Sequence, residues 1–352
     1  MRREQVQAYA VVFLASFFLL LIEVVAGRIL APYVGVSLYT WTSIIGVVLA
    51  GISLGAWLGG VIVDRYPRSS TLGWILLLSG AGTFSISPLT NCIGTTYFHS
   101  SLMVRIVLIT ALLFFFPSCS LGVVSPVVVK LTLNSLEKTG KQVGRIYALS
   151  ALGSILGTFT AGFFLISWIG TRDLLFATGF FLLLTAALSG GFFIRKKRIA
   201  LFLLVLSLLW MARHYASSPA LDERTFFFRE SNYYTIKLKG NSGDKKDRLV
   251  TLQLDNLTHS CSDLNDPFHL VYRYLRSFEE VVRWKARRTK SFRALFIGGG
   301  GYTFPIFIEA RYPNAEVDVV EIDPMVTQVS QSYLGFLRPR RSEHSTRTDD
   351  GS

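Results

Sequence analysis

Charge is scarce in this sequence. Only 17% of its 352 residues are Asp, Glu, Lys or Arg, while 51% are hydrophobic and the mean hydropathy is +0.42. Soluble domains carry about 25% charged residues, so the whole chain does not read as one soluble domain. Acidic residues are the scarcer sign, 23 against 36 basic, for a formal net charge of +13. Cysteine is nearly missing. Cys92, Cys119 and Cys261 are odd in number, far apart and without metal-ligand spacing. That argues against a disulfide framework or a zinc site, and no metal is expected. The basic excess forms no patch interleaved with aromatics as in a nucleic-acid module, so no nucleic-acid partner is expected either. No small-residue cleavage site follows the first apolar run, which reads as a retained helix rather than a signal peptide.

What is present is long apolar runs. A helix rises ~1.5 Å per residue, so crossing the hydrocarbon takes about 20 apolar residues. Seven candidate spans stand out: Tyr9–Leu30, Tyr39–Val63, Leu72–Thr90, Met103–Val129, Gly144–Trp168, Leu174–Ile194 and Ile199–Ala212. Pro117 and Pro126 predict a kink or break in the fourth. The seventh is short; it either spans or lies as a re-entrant or interfacial helix.

Lys and Arg mark loops retained in the cytoplasm. Arg2 and Arg3 precede the first span, and Arg65 and Arg68 follow the second. Lys130, Lys138, Lys141 and Arg145 surround the fourth-to-fifth loop, and Arg195–Arg198 follow the sixth. The alternate loops Ala31–Leu38 and Asn91–Ser101 carry neither residue type. A multi-pass protein of the cell (inner) membrane with a cytoplasmic N-terminus is expected, in contact with membrane lipids. The side of the soluble region turns on the seventh run.

Within the spans, Gly51, Gly55 and Gly59 recur every four residues, as do Gly153 and Gly157. This spacing suits close helix packing, with a substrate path as the sharper alternative. Glu23 lies inside the first span, where an ionisable side chain costs about 2.5–3.5 kcal/mol on insertion scales. Glu23, with Arg28 nearby, is either a structural pair or an intramembrane functional site.

After Tyr215 the composition turns soluble. Tyr233–Lys239 and Leu249–Asp255 alternate apolar and polar residues about a polar turn, Gly240–Asp247, which predicts a β-hairpin. Phe268–Lys285 reads as an amphipathic helix. Then come a short strand, Ala294–Ile297, four glycines, Gly298, Gly299, Gly300 and Gly301, and a helix with Pro305 near its start. A second strand, Val317–Val320, ends at Glu321, 23 residues after the first glycine. Glycines let a backbone approach a ligand closely. A helix N-terminus offers free N–H groups, and an acid at the second strand tip suits ribose hydroxyls. Thr303 leaves the Gly-x-Gly-x-x-Gly pattern incomplete, so nucleoside binding and a purely structural turn both remain open.

These segments together resemble the membrane-bound spermidine-synthase-like family, in which a transporter-like helical half is fused to an aminopropyltransferase domain. The resemblance rests on EVVAGRILAP (Glu23–Pro32), GISLGAWLGGVIVDR (Gly51–Arg65), GVVSP (Gly122–Pro126), Gly144–Gly162, ESNYYTI (Glu230–Ile236), LDNLTHS (Leu254–Ser260) and Gly298–Pro324. The run ending in Asp64 and Arg65 is also similar to the loop between helices two and three of major-facilitator transporters. The resemblance implies a polytopic helical domain at 1–214, a major-facilitator half of six to seven spans. It then implies a β-hairpin and helix at 221–290, an incomplete Rossmann-like nucleoside-binding unit at 291–337 and a polar tail at 338–352. It implies aminopropyl transfer from decarboxylated S-adenosylmethionine, or use of a related nucleoside, with a polyamine as substrate. Gly298–Gly301, Glu321 and Asp323 would then line the cofactor site, and Tyr233 and His259 would meet the amine.

The chain departs from that pattern. The soluble enzymes have Asp within the glycine loop, where Gly301 and Tyr302 stand here, and Gln where His259 stands. Beyond Tyr333 the strands that carry the family's adenine-reading Asp-Ala pair and catalytic Asp do not follow. The expectation is a C-terminally truncated chain, inactive as an aminopropyltransferase. A homo-oligomer, or a partner that completes the soluble domain, is the corresponding expectation for assembly. A transporter-like or scaffold protein with a vestigial soluble domain is the alternative.

Overall fold

The computed structural model describes residues 3–94, 101–133, 139–189, 223–240 and 248–335. The seventh apolar run, the basic run after the sixth, most of the hairpin turn and the polar tail lie outside the described residues. The chain divides into two compact units, with the boundary between Ala220 and Leu221.

The first unit contains six helices long and apolar enough to cross a membrane. They are α1 (Arg3–Val34), α2 (Leu38–Arg65), α3 (Ser69–Gly94), α4 (Leu102–Thr132), α5 (Thr139–Ile169) and α6 (Thr171–Ser189). Helices α1 and α3 begin and end three to six residues beyond the apolar runs, because flanking polar residues continue the helix, while α2 matches its run to within two residues. Ser37 starts α2 with a side-chain cap on the Thr40 N–H. The break expected in the fourth run is present as a π-helical segment, Ala111–Phe115, just before Pro117, and as a single turn residue at Val123 between two helical segments. Proline has no N–H to give the preceding turn, which the wider turn accommodates. A second π segment, Ala161–Leu165, lies in α5, where no proline announces it.

Close backbone contact holds this bundle together. A Cβ on Gly55 would lie 2.1 Å from the Cys119 carbonyl oxygen of α4, and one on Gly157 would lie 2.2 Å from the Phe17 oxygen of α1. Ser16 and Ser150 hydroxyls meet at 2.7 Å between α1 and α5. At another junction Arg172 donates to Asn91 at 2.9 Å and to the Tyr33 hydroxyl at 3.4 Å, linking α6, α3 and α1. Other buried hydroxyls, such as Thr83 and Thr178, donate to carbonyls one turn back, whereas the Ser87 and Ser118 hydroxyls are buried with no hydrogen-bond partner among the described residues. Glu23 and Arg28 both sit half-buried on α1.

The second unit opens with a four-stranded antiparallel meander of β1 (Thr225–Glu230), β2 (Thr235–Lys239), β3 (Leu249–Leu254) and β4 (Leu257–Asp263). The expected hairpin is its middle pair, with Ile236 opposite Leu254 and Leu238 opposite Leu252. Next come α7 (Arg273–Ala286), β5 (Phe292–Ile297), α8 (Thr303–Arg311), β6 (Ala315–Val320) and α9 (Pro324–Tyr333). The helix expected from Phe268 starts five residues later, because Asp266 takes the Phe268 N–H and holds a turn there. Strands β5 and β6 pair in parallel with α8 as the crossover. Val326, Val329 and Leu334 pack against the meander, while Leu275 of α7 joins Phe304, Phe307 and Ile308 of α8 over the parallel pair.

Candidate nucleoside site

The site forms where β5 ends. Gly298 and Gly300 have φ of +90° and +51°, a region that side chains rarely adopt, and open space lies where their Cβ atoms would be. Gly299 and Gly301 are glycine for another reason. A Cβ at 299 would lie 2.5 Å from the Tyr302 ring, and one at 301 would lie 2.0 Å from the Ser260 Oγ. So two glycines face open space and two face the protein.

Glu321 closes the loop from the tip of β6. Its Oε2 accepts the Gly299 N–H at 2.7 Å and the Gly300 N–H at 3.3 Å, and its Oε1 accepts the Asp323 N–H at 3.1 Å. A carboxylate offers about four acceptor sites, so it retains capacity on Oε1 for an incoming hydroxyl. Asp323 is 1% exposed. Its Oδ1 caps α9 by accepting the Met325 N–H at 3.0 Å, and its Oδ2 accepts the Ser231 hydroxyl. In this arrangement Asp323 fixes the start of α9 and the β1–β2 loop.

Tyr302 and its neighbours hold the loop from below. Tyr302 is 3% exposed and left-handed at φ +57°, and its hydroxyl lies 2.8 Å from the Thr327 Oγ1. Ser330 donates to the Gly300 carbonyl at 3.1 Å, and Thr303 meets Ser262 at 2.7 Å. Ser260 is the exception. Its Oγ is buried beside Gly301 with no hydrogen-bond partner among the described residues. A polar ligand entering the loop would supply one.

His259 projects from the same strand, exposed, with its ring 6.3 Å from that of Tyr234. Partial desolvation holds its pKa below the ordinary imidazole value, opposed by the Asp255 and Glu321 carboxylates. Tyr233 is 42% exposed beside Tyr234. The structure therefore brings His259 into the electrostatic neighbourhood of Glu321 and the glycine loop. Glu23 and Arg28 belong to the helical unit.

Ser231, Ser260, Tyr302 and Thr327 escape sequence reasoning. Tyr302 carries one signal, as a bulky residue ending a glycine run. A second cluster also went unseen: the buried Asp263 accepts Arg248 at 2.8 Å and the His269 Nδ1 at 2.7 Å. The Arg248 bond, then His269 and the Asn265 N–H, holds the Asp263 carboxyl well below the usual carboxylate range, against the effect of burial. Among the described residues no three His, Cys, Asp or Glu side chains converge as a metal site.

A strand, glycine loop, helix, strand and acid are assembled here in one parallel βαβ unit, and a part of this chain is similar in sequence to a polyamine aminopropyltransferase. Over 59 residues it is 39% identical to the polyamine aminopropyltransferase of Vibrio vulnificus (strain CMCP6), covering 17% of this chain and 18% of that protein. Over 47 residues it is 36% identical to the eEF1A lysine and N-terminal methyltransferase of Mus musculus, covering 13% of this chain and 7% of that one. Among solved structures it is similar to a probable spermidine synthase from Corynebacterium glutamicum ATCC 13032. The identity is 22% and the TM-score 0.30, over 32% of this chain and 40% of that chain. No family model matches. The chain spans less than a fifth of the curated relatives it matches.

Proposed function

We propose that this is a multi-pass membrane protein whose second unit binds decarboxylated S-adenosylmethionine, or a close nucleoside relative, in the service of aminopropyl transfer to a polyamine. One observation carries the reading. Glu321 is bonded to the glycine loop itself, so the ribose-reading acid and the ligand-approaching backbone form one rigid feature. The residues present fit such a ligand. Gly298 and Gly300 leave room, Ser260 presents a hydroxyl unmet among the described residues, and Glu321 retains an acceptor site.

Bound decarboxylated S-adenosylmethionine would supply an aminopropyl carbon activated by its sulfonium. The attacking amine must lose a proton as it bonds to that carbon, and the carbon–sulfur electron pair returns to sulfur. His259, kept toward its neutral form by desolvation and close to Glu321, is the group we assign to accept that proton. Tyr233 offers a ring face to an ammonium group.

Two measurements on the full chain in lipid nanodiscs test this. Equilibrium dialysis with labelled decarboxylated S-adenosylmethionine should show saturable binding, displaced by methylthioadenosine. Labelled spermidine should then form from putrescine and fall in His259→Ala. Binding without product would confine the function to binding. Absence of both would contradict the proposal.

A further inference from the structure

Helix α7 has two apolar faces, and the fold uses one. Leu275 and Val282 point into the core with Phe304, Phe307 and Ile308. Tyr274, Val281 and Trp284 lie to one side of that face and are 51–67% exposed, and Phe278, between the two, is 53% exposed with its ring 6.0 Å from that of Phe304. A soluble protein seldom shows such an aromatic stripe to water without a partner. The charge around it is one-sided. Between residues 273 and 290 there are seven basic and two acidic residues, a net +5. One basic residue, Arg283, is paired to Glu279 along the helix. The Arg288 guanidinium lies over the Trp284 ring, 3.6 Å from its centroid, so cation and aromatic surface are presented together.

We propose that this face of α7 docks on an anionic lipid surface. Tyr, Trp and Phe beside Arg and Lys are the side chains that settle at the headgroup boundary, rings at the acyl edge and cations among phosphates. The charge complements an acidic leaflet. The proposal rests on the reading that the six apolar helices of the same chain cross a bilayer, which keeps the second unit tethered to such a surface at high effective concentration. Docking would hold the nucleoside-binding unit at the membrane.

The test uses the full chain in nanodiscs of phosphatidylcholine alone or with about one-third phosphatidylglycerol. A benzophenone amino acid replaces Val281 in one preparation and Ile45, exposed on α2, in another. Illumination should join position 281 to lipid. The yield should be about fivefold higher with phosphatidylglycerol and should fall by a similar factor in Arg287→Ala/Arg288→Ala. Capture of lipid at position 45 with none at 281, or capture of a second chain at 281, would overturn the docking proposal alone. No lipid capture at either position would overturn the membrane reading, and the proposal with it.

Discussion

The Glu321 carboxylate and the Gly299 N–H lie 2.7 Å apart across 22 residues of sequence. This bond joins the tip of β6 to the loop that follows β5. It means that the acid of the motif shapes the loop. Tyr302 completes the shape from the opposite side, since its ring fills the space a side chain at 299 would need.

Tyr302 therefore carries the first prediction. Tyr302→Phe removes the hydrogen bond to Thr327 while keeping the ring under the loop. A loss of about 0.5–1.5 kcal/mol in unfolding free energy is expected, together with faster amide exchange at Gly299–Gly301. Unchanged exchange would show that the hydroxyl does not hold the loop.

Helix packing gives the second. Gly55→Ala and Gly157→Ala place a methyl group against the Cys119 and Phe17 carbonyl oxygens, respectively. Each should cost about 1–3 kcal/mol as overpacking, read as a lower melting temperature in detergent. Gly60→Ala and Gly162→Ala point into open space and should leave the melting temperature unchanged or slightly higher.

Lys237 gives the third. Burial, with help from neighbouring Lys239, pushes its pKa down to about 8, and Asp255 only partly opposes this. The unfolded chain then holds the proton up to an ordinary lysine value of ~10.4. Between these values the unfolded state binds more protons, so stability rises with pH from about 8 upward and is level below it. Lys237→Met should flatten that rise, as measured by thermal melts across the window.

Asp263 gives the fourth, with the opposite sign. Its depressed pKa adds stability that is present above the ordinary carboxylate value of ~3.9 and lost as pH falls through the folded value. Arg248→Ala removes the largest cause and leaves burial acting on the carboxyl. Its acid unfolding midpoint should move to higher pH than that of the unaltered chain.

These groups show what the sequence reveals and what it conceals. The apolar runs were legible because each is long and nearly free of charge, and the middle hairpin because Ile236, Leu238, Val250 and Leu252 alternate. Strand β1 was hidden, since Phe226, Phe227 and Phe228 are consecutive and a register shift follows Thr225. Strand β4 was hidden by its polarity, for Ser260, Ser262 and Asp263 are buried. The glycine loop and Glu321 were legible as a motif. The Ser231–Asp323 bond spans 92 residues and the Tyr302–Thr327 bond 25, and only folding brings those partners together.

The central claim is that the glycine loop and Glu321 bind a nucleoside as one feature. Isothermal titration of decarboxylated S-adenosylmethionine into the full chain, beside Glu321→Ala, tests it most directly. The account predicts saturable binding to the unaltered chain and at least a tenfold weaker affinity in the variant, about 1.4 kcal/mol. Equal affinity in both, or no binding to either, would contradict it.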